Sequence, residues 1–243
     1  GIVSNGLTLL SGATLGGLIN TGSISGSKYG ISNQGTITSL QNSGTISSSS
    51  DGGGSGIYNN NGTITTLSNT GVISGVGRGI TNYGTALIGS LSNSGGISGY
   101  YGIVNQLGNI SNITNTGAIN ANGTSGSQAI YNIIGTIGSI TNSGSIYSSG
   151  TQNLGTEASY AIFNTGTINT ITNTATVGTS TSGIFGSSNV DINNTGTITT
   201  LNNAQNNLVL QGNLPTNYNI IIKGPTSYGG LTYYPLDGYA PTK

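Results

Sequence analysis

The chain contains no histidine and no cysteine. Without histidine there is no serine triad, no imidazole metal ligand and no ordinary proton relay. Without cysteine there is no disulfide framework, no thiol nucleophile and no zinc–thiolate site. Charge is almost as scarce: 3% of residues are charged, where about a quarter is usual. The acids are Asp51, Glu157, Asp191 and Asp237, the bases are Lys28, Arg78, Lys223 and Lys243, and they cancel to a formal net charge of zero. No basic patch is present to neutralise phosphates, so nucleic acid is not an expected partner. Calcium needs clustered acids, so no metal or other cofactor is expected. A net charge near zero gives little colloidal repulsion and favours self-association. No apolar run reaches the roughly 18 residues of a membrane helix.

What is abundant is small and polar. Glycine supplies 44 of the 243 residues, and Ser, Thr and Asn fill most of the rest. Such a composition suits a disordered chain, but disorder goes with few β-branched residues. Here Ile, Val and Thr are plentiful and regularly placed, which points to ordered strands joined at tight corners.

The order is a repeat. Rows begin at Ile31, Ile57, Ile80, Ile103, Ile130, Ile162 and Ile192. Two residues later each row has an Asn: Asn33, Asn59, Asn82, Asn105, Asn132, Asn164 and Asn194. A glycine follows, then an apolar pair such as Ile64/Leu67 or Ile137/Ile140. A second Asn comes two places after the pair: Asn42, Asn69, Asn93, Asn115, Asn142, Asn173 and Asn203. A third apolar position closes the row, as at Ile46, Ile73, Ile97, Ile119, Ile146 and Val177. Row starts are spaced 26, 23, 23, 27, 32 and 30 residues apart. The excess falls after the third apolar position, in 47–55, 120–128, 147–160 and 178–190, as a solenoid with insertions at one corner requires.

Short apolar–polar alternation, as in Gly62-Thr63-Ile64-Thr65, argues strand, and Asn and Gly mark turns. The expected fold is all-β: a right-handed parallel β-helix of about eight coils, about three short strands per coil, with a C-terminal cap or tail. Stacked rows place Ile on Ile in a dry interior. Stacked Asn side chains are expected to form structural ladders that satisfy backbone groups at the corners. The row pattern stops near residue 206. All four prolines follow it, as do Tyr218, Tyr228, Tyr233, Tyr234 and Tyr239. Residues 1–206 therefore read as the β-helix domain. Residues 207–243 read as a cap or docking segment, with those five tyrosines as possible docking residues.

Chemistry is sparse. Asp191 and Glu157 are the acid pair nearest to each other in coil order, and both read as solvated carboxylates, so no catalytic residues are assigned and no enzyme is expected. Gly75-Val76-Gly77-Arg78-Gly79 lacks the Lys-Ser/Thr end of a phosphate loop and reads as a corner. Thr-x-Thr pairs at Thr36/Thr38, Thr63/Thr65 and Thr197/Thr199 suggest an ice-binding face, but the rows between them are broken by Leu87 and Asn109. Tyr58, Tyr131 and Phe163 each follow a row-start Ile, an outward position available to sugars or a neighbouring rod.

The Asn-x-Gly-Thr-Ile-x-x-Leu-x-Asn-x-Gly-x-Ile run, best seen in 62–74 and 194–203, resembles passenger domains of bacterial autotransporters and related haemagglutinin-like adhesins. The resemblance covers roughly 16–206, and 214–222 with 225–229 also resembles a segment that follows such repeats. It implies an extracellular or bacterial cell-surface structural protein working in adhesion or self-association. Its partners would be further copies of itself or host-cell and biofilm glycans. A self-assembling filament docking through coil ends or the C-terminal segment is the alternative, and ice binding a third.

Overall fold

The structure, a computed structural model, describes residues 4–50, 53–150, 158–179 and 190–236. Each repeat row except the last folds into three short strands, the row at Ile192 forming only the first two, and equivalent strands of successive rows stack in parallel into three sheets of ten, ten and seven strands. The first sheet collects the Ile-x-Asn strands, such as Arg78–Tyr83 and Tyr101–Gln106. The second collects the apolar-pair strands, such as Leu87–Asn93 and Asn109–Asn115. The third collects the closing strands, such as Val72–Gly75 and Gly96–Gly99. The result is a β-solenoid of about nine turns.

Register explains the core. Ile31, Ile57, Ile80, Ile103, Ile130, Ile162 and Ile192 are successive partners in the first sheet. Two further columns run through the apolar pairs of the second sheet. A fourth runs through Ile46, Ile73, Ile97, Ile119 and Ile146 in the third. These side chains are at most 1% exposed and form one continuous cluster. Burying each contributes about 1.5–3 kcal/mol relative to an exposed state.

The two asparagine columns run inside the corners on either side of the second sheet. In the first, Asn33 Nδ2 donates to Asn59 Oδ1 at 2.7 Å, and Asn59 to Asn82 at 2.9 Å. The chain of bonds continues through Asn105 (2.9 Å), Asn132 (2.8 Å), Asn164 (2.7 Å) and Asn194 (2.8 Å), and ends on the Asn213 carbonyl at 2.8 Å. The second links Asn20 to Asn42 (2.7 Å), then Asn69, Asn93, Asn115 and Asn142 (2.8 Å each), Asn173 (3.0 Å) and Asn203 (3.5 Å). Most Nδ2 groups also donate to a carbonyl of their own coil and one of the next, as Asn82 does to Ala86 and Asn109 at 3.1 Å each. Buried amides are thus paired with each other and with corner carbonyls that water cannot reach. The glycine two residues after the second asparagine is set by space: a Cβ added at Gly71 would stand 2.1 Å from the carbonyl oxygen of Gly44.

Ladder pairing continues beyond residue 206. Leu208–Gly212 pairs with Ile192–Asn194 in the first sheet, and Asn217–Ile220 pairs with Thr197–Asn203 in the second. Leu231–Tyr234 then adds the last strand of the first sheet. Between them, in the place of a third-sheet strand, the chain makes an antiparallel hairpin of Ile222–Gly224 with Ser227–Tyr228. This stretch supplies the turn beyond the eight counted from the repeat.

Candidate functional site, an aromatic face on the first sheet

The outer faces of the rod differ in chemistry. The second sheet presents hydroxyls and amides: Thr36, Thr63, Thr136, Thr167 and Thr197 lie in one outward column, interrupted by Leu87 and Asn109. The first sheet presents rings. Tyr29 stacks on Tyr58 with centroids 4.4 Å apart and planes 16° apart, and Tyr58 on Tyr83 at 6.3 Å. A second group begins three coils on from Tyr29, where Tyr101 meets Tyr131 at 5.8 Å and Tyr131 stacks on Phe163 at 5.1 Å and 13°. Tyr100 and Tyr160 meet its ends, at 4.9 Å from Tyr101 and 5.5 Å from Phe163. Tyr131 and Phe163 are direct register partners on neighbouring strands, so the strand spacing of about 4.8 Å stacks them face to face, whereas Tyr29 with Tyr58, Tyr58 with Tyr83 and Tyr101 with Tyr131 reach each other diagonally across neighbouring coils.

Two cations sit on these rings: Lys28 Nζ lies 5.3 Å from the Tyr29 centroid and Arg78 Cζ 5.9 Å from that of Tyr101. Such contacts contribute about 0.5–1 kcal/mol at exposed sites. Burial raises the phenol pKa values of Tyr58, Tyr101, Tyr131 and Tyr160 above the ordinary 10.0. All four are therefore neutral hydrogen-bond donors at physiological pH. Three of these contacts are stacked and three are tilted or edge-on, so the face carries ring surface as well as hydroxyls.

A ridge borders this face at the corner with the second sheet. Asn61, Gly84, Leu107 and Ile134 occupy it with φ of 57°, 71°, 66° and 55°. That left-handed conformation turns each N–H toward the next coil. Asn61, Gly84 and Leu107 donate at 3.0 Å to the carbonyls of Tyr83, Gln106 and Ile133, and Ile134 donates at 3.2 Å to Thr165 Oγ1. Asn and Gly accept this conformation readily, whereas Leu and a β-branched Ile are strained in it. Leu107 is 55% exposed and Ile134 is 69% exposed. Strained, apolar and exposed side chains thus continue the aromatic surface around the corner.

Of the residues singled out from sequence, Tyr58, Tyr131 and Phe163 lie in this face, and the asparagines lie inside the rod. Tyr29, Tyr101 and Tyr160 were not anticipated. Each stands two residues before a row-start Ile, a position that simple alternation points inward. Alternation fails there: the intervening Gly30, Gly102 and Ala161 are buried along with the row-start Ile, and the tyrosines are half-buried. For the ridge, the available signal was the distance from the row Asn to the next Ile. It is four residues after Asn33, Asn164 and Asn194, five after Asn59, Asn105 and Asn132, and six after Asn82. The longer spacings coincide with the left-handed residues.

The C-terminal tyrosines are placed separately. Tyr218 and Tyr233 pack against the core, Tyr234 is half-buried and Tyr228 is exposed; Tyr239 lies outside the described residues, as do Asp51, Glu157 and Asp237. Asp191 is 5% exposed. Its Oδ2 accepts the Val209 N–H at 2.9 Å, and burial pushes its pKa up to about 7 despite that bond. Gly75–Gly79 is the corner between strands Val72–Gly75 and Arg78–Tyr83. Among the described residues no three acids gather as metal ligands, and no helix is long and apolar enough to cross a membrane. The chain matches no protein-family model, no curated protein and no solved structure.

Proposed function

We propose that this β-solenoid is a surface-exposed structural rod, of the kind that autotransporter passengers and haemagglutinin-like adhesins resemble, and that it works by adhesion and self-association through the first sheet. The observation that carries this reading is the pair of ring groups on the first sheet, Tyr58 with Tyr83 and Tyr101 with Tyr131 and Phe163, bordered by Leu107 and Ile134. These residues are half-buried or exposed on a rod whose surface is rich in Ser, Thr, Asn and Gly. Large exposed apolar patches on polar proteins mark interaction surfaces. Partly exposed rings with neutral phenol hydroxyls offer apolar area and hydrogen-bond donors to a second copy, and the near-zero net charge leaves no long-range repulsion between copies. The test is clumping of beads coated with the chain. Leu107→Asn with Ile134→Asn keeps residues that tolerate the left-handed turn while removing the apolar ridge. Clumping that falls with this double variant supports the reading, and clumping that is unchanged refutes it.

End-to-end filament growth is the second reading. Its support is the apolar C-terminal end, where Ile220, Ile222, Tyr228 and Leu236 are each about half exposed or more.

A further inference from the structure

The insertion corner has a notch. Rows starting at Ile31 and Ile103 carry insertions after their third strand, in 47–55 and 120–128, while the rows between them, at Ile57 and Ile80, are the shortest in the chain at 23 residues each. Two bare coils therefore lie between two looped ones. The structure holds a cleft of about 350 Å³ there, lined by Ser48 on the side of the first loop, Ser74 and Ser98 along the floor, and Tyr100 and Asn122 toward the second loop. That volume lies within the range of small-ligand sites, about 300–1,000 Å³.

Three features of the lining specify a ligand. No charged side chain contributes to it. It mixes serine hydroxyls and an amide with the Tyr100 ring, and Tyr100 is held in place by its hydroxyl, which donates to the Ser125 carbonyl of the second loop. Finally, Ser48 is only 7% exposed, yet its Oγ has no hydrogen-bond partner among the described residues. Buried hydroxyls are ordinarily paired, so an unpaired one in a cleft wall marks a place for a ligand's donor or acceptor. Gly75 lies directly beside that hydroxyl: a Cβ added there would stand 2.8 Å from Ser48 Oγ.

From this geometry we infer that the notch is a binding site for a neutral saccharide. Sugar hydroxyls pair with Ser48, Ser74, Ser98 and Asn122, and the C–H surface of the ring rests near Tyr100. The inference rests on the adhesion reading and gives it a ligand class, while using a different corner of the rod from the aromatic face.

The experiment is saturation-transfer NMR on the full chain with galactose, lactose and N-acetylglucosamine as neutral probes and glucuronic acid as the acidic one. Binding of at least one neutral sugar is expected. Ser48→Ala should weaken it about two- to tenfold, the loss of one hydrogen bond. Ser98→Phe, which fills the cleft from a half-buried outward position, should abolish it, and Tyr131→Ala on the first sheet should leave it unchanged. Failure of every neutral sugar, binding of glucuronic acid alone, or binding that survives Ser98→Phe would overturn the inference. Bead clumping measured on the same preparations separates the two claims. Clumping without sugar binding sinks only the saccharide site, and sugar binding without clumping sinks the self-association reading and leaves the site standing.

Discussion

Replacing Asn105 by alanine removes one rung from the middle of an internal ladder. Asn105 is fully buried. Its Oδ1 accepts from Asn82 at 2.9 Å, and its Nδ2 donates to Asn132 Oδ1 at 2.8 Å and to the Gly108 and Thr136 carbonyls at 3.1 Å each. Each such bond contributes about 1 kcal/mol net, and a buried partner left unpaired costs about 1–3 kcal/mol. Some of the orphaned groups keep a second bond: Asn82 Nδ2 still reaches Ala86 and Asn109. The expected destabilisation of Asn105→Ala is therefore about 3–5 kcal/mol. Asn105→Asp has the same shape but places a carboxyl against an amide oxygen and two carbonyls. It should be at least as destabilising at neutral pH and recover in acid, when the carboxyl becomes a donor. The assay is urea unfolding followed by circular dichroism, with Ser90→Ala on the outer face of the second sheet as the reference. If Asn105→Ala stays within about 0.5 kcal/mol of that surface change, the ladders fill space and do not hold the coils together.

Further outcomes follow from the ridge and from the last coils. Ile134→Asn relieves a left-handed β-branched residue and should stabilise the rod by about 1 kcal/mol in the same urea assay; a loss of stability would show that Ile134 packs usefully where it is. Asp191 holds a proton in the folded chain up to about pH 7, whereas its ordinary value is 3.8. The folded state thus binds more protons between those limits. Stability should fall as pH rises from about 4 to 7 and change little beyond, by a few kcal/mol at most. Hydrogen exchange at the Val209 amide, followed from pH 5 to pH 8 and corrected for intrinsic rates, reads this directly. Asp191→Asn should flatten the profile, and stability that rises with pH in the native chain would refute the assignment.

The fold was legible because one physical rule repeats. An Ile, Leu or Val must face inward at fixed places in every coil, and small polar residues must fill the corners, so columns emerge when rows are aligned. The last coil was harder to read because it keeps the register and changes the residues. Leu210 follows Ile192, Gly212 follows Asn194, Tyr218 follows Leu201 and Ile220 follows Asn203. The aromatic face was half legible. Tyr58, Tyr131 and Phe163 obey alternation, but at Tyr29, Tyr101 and Tyr160 it fails, because the small residue that follows each and the row-start Ile after it are both buried. The cleft depends on two insertions three coils apart flanking two bare coils. The spacing records this, but its lining appears only when the coils are stacked.

Self-association through the first sheet is tested most directly by negative-stain electron microscopy of the purified chain across a concentration series. The account predicts short rods at low concentration that pair side by side, long axes aligned, as concentration rises, and that stay separate when Leu107→Asn and Ile134→Asn are combined. Separate rods at every concentration, or filaments that grow only end to end, would contradict it.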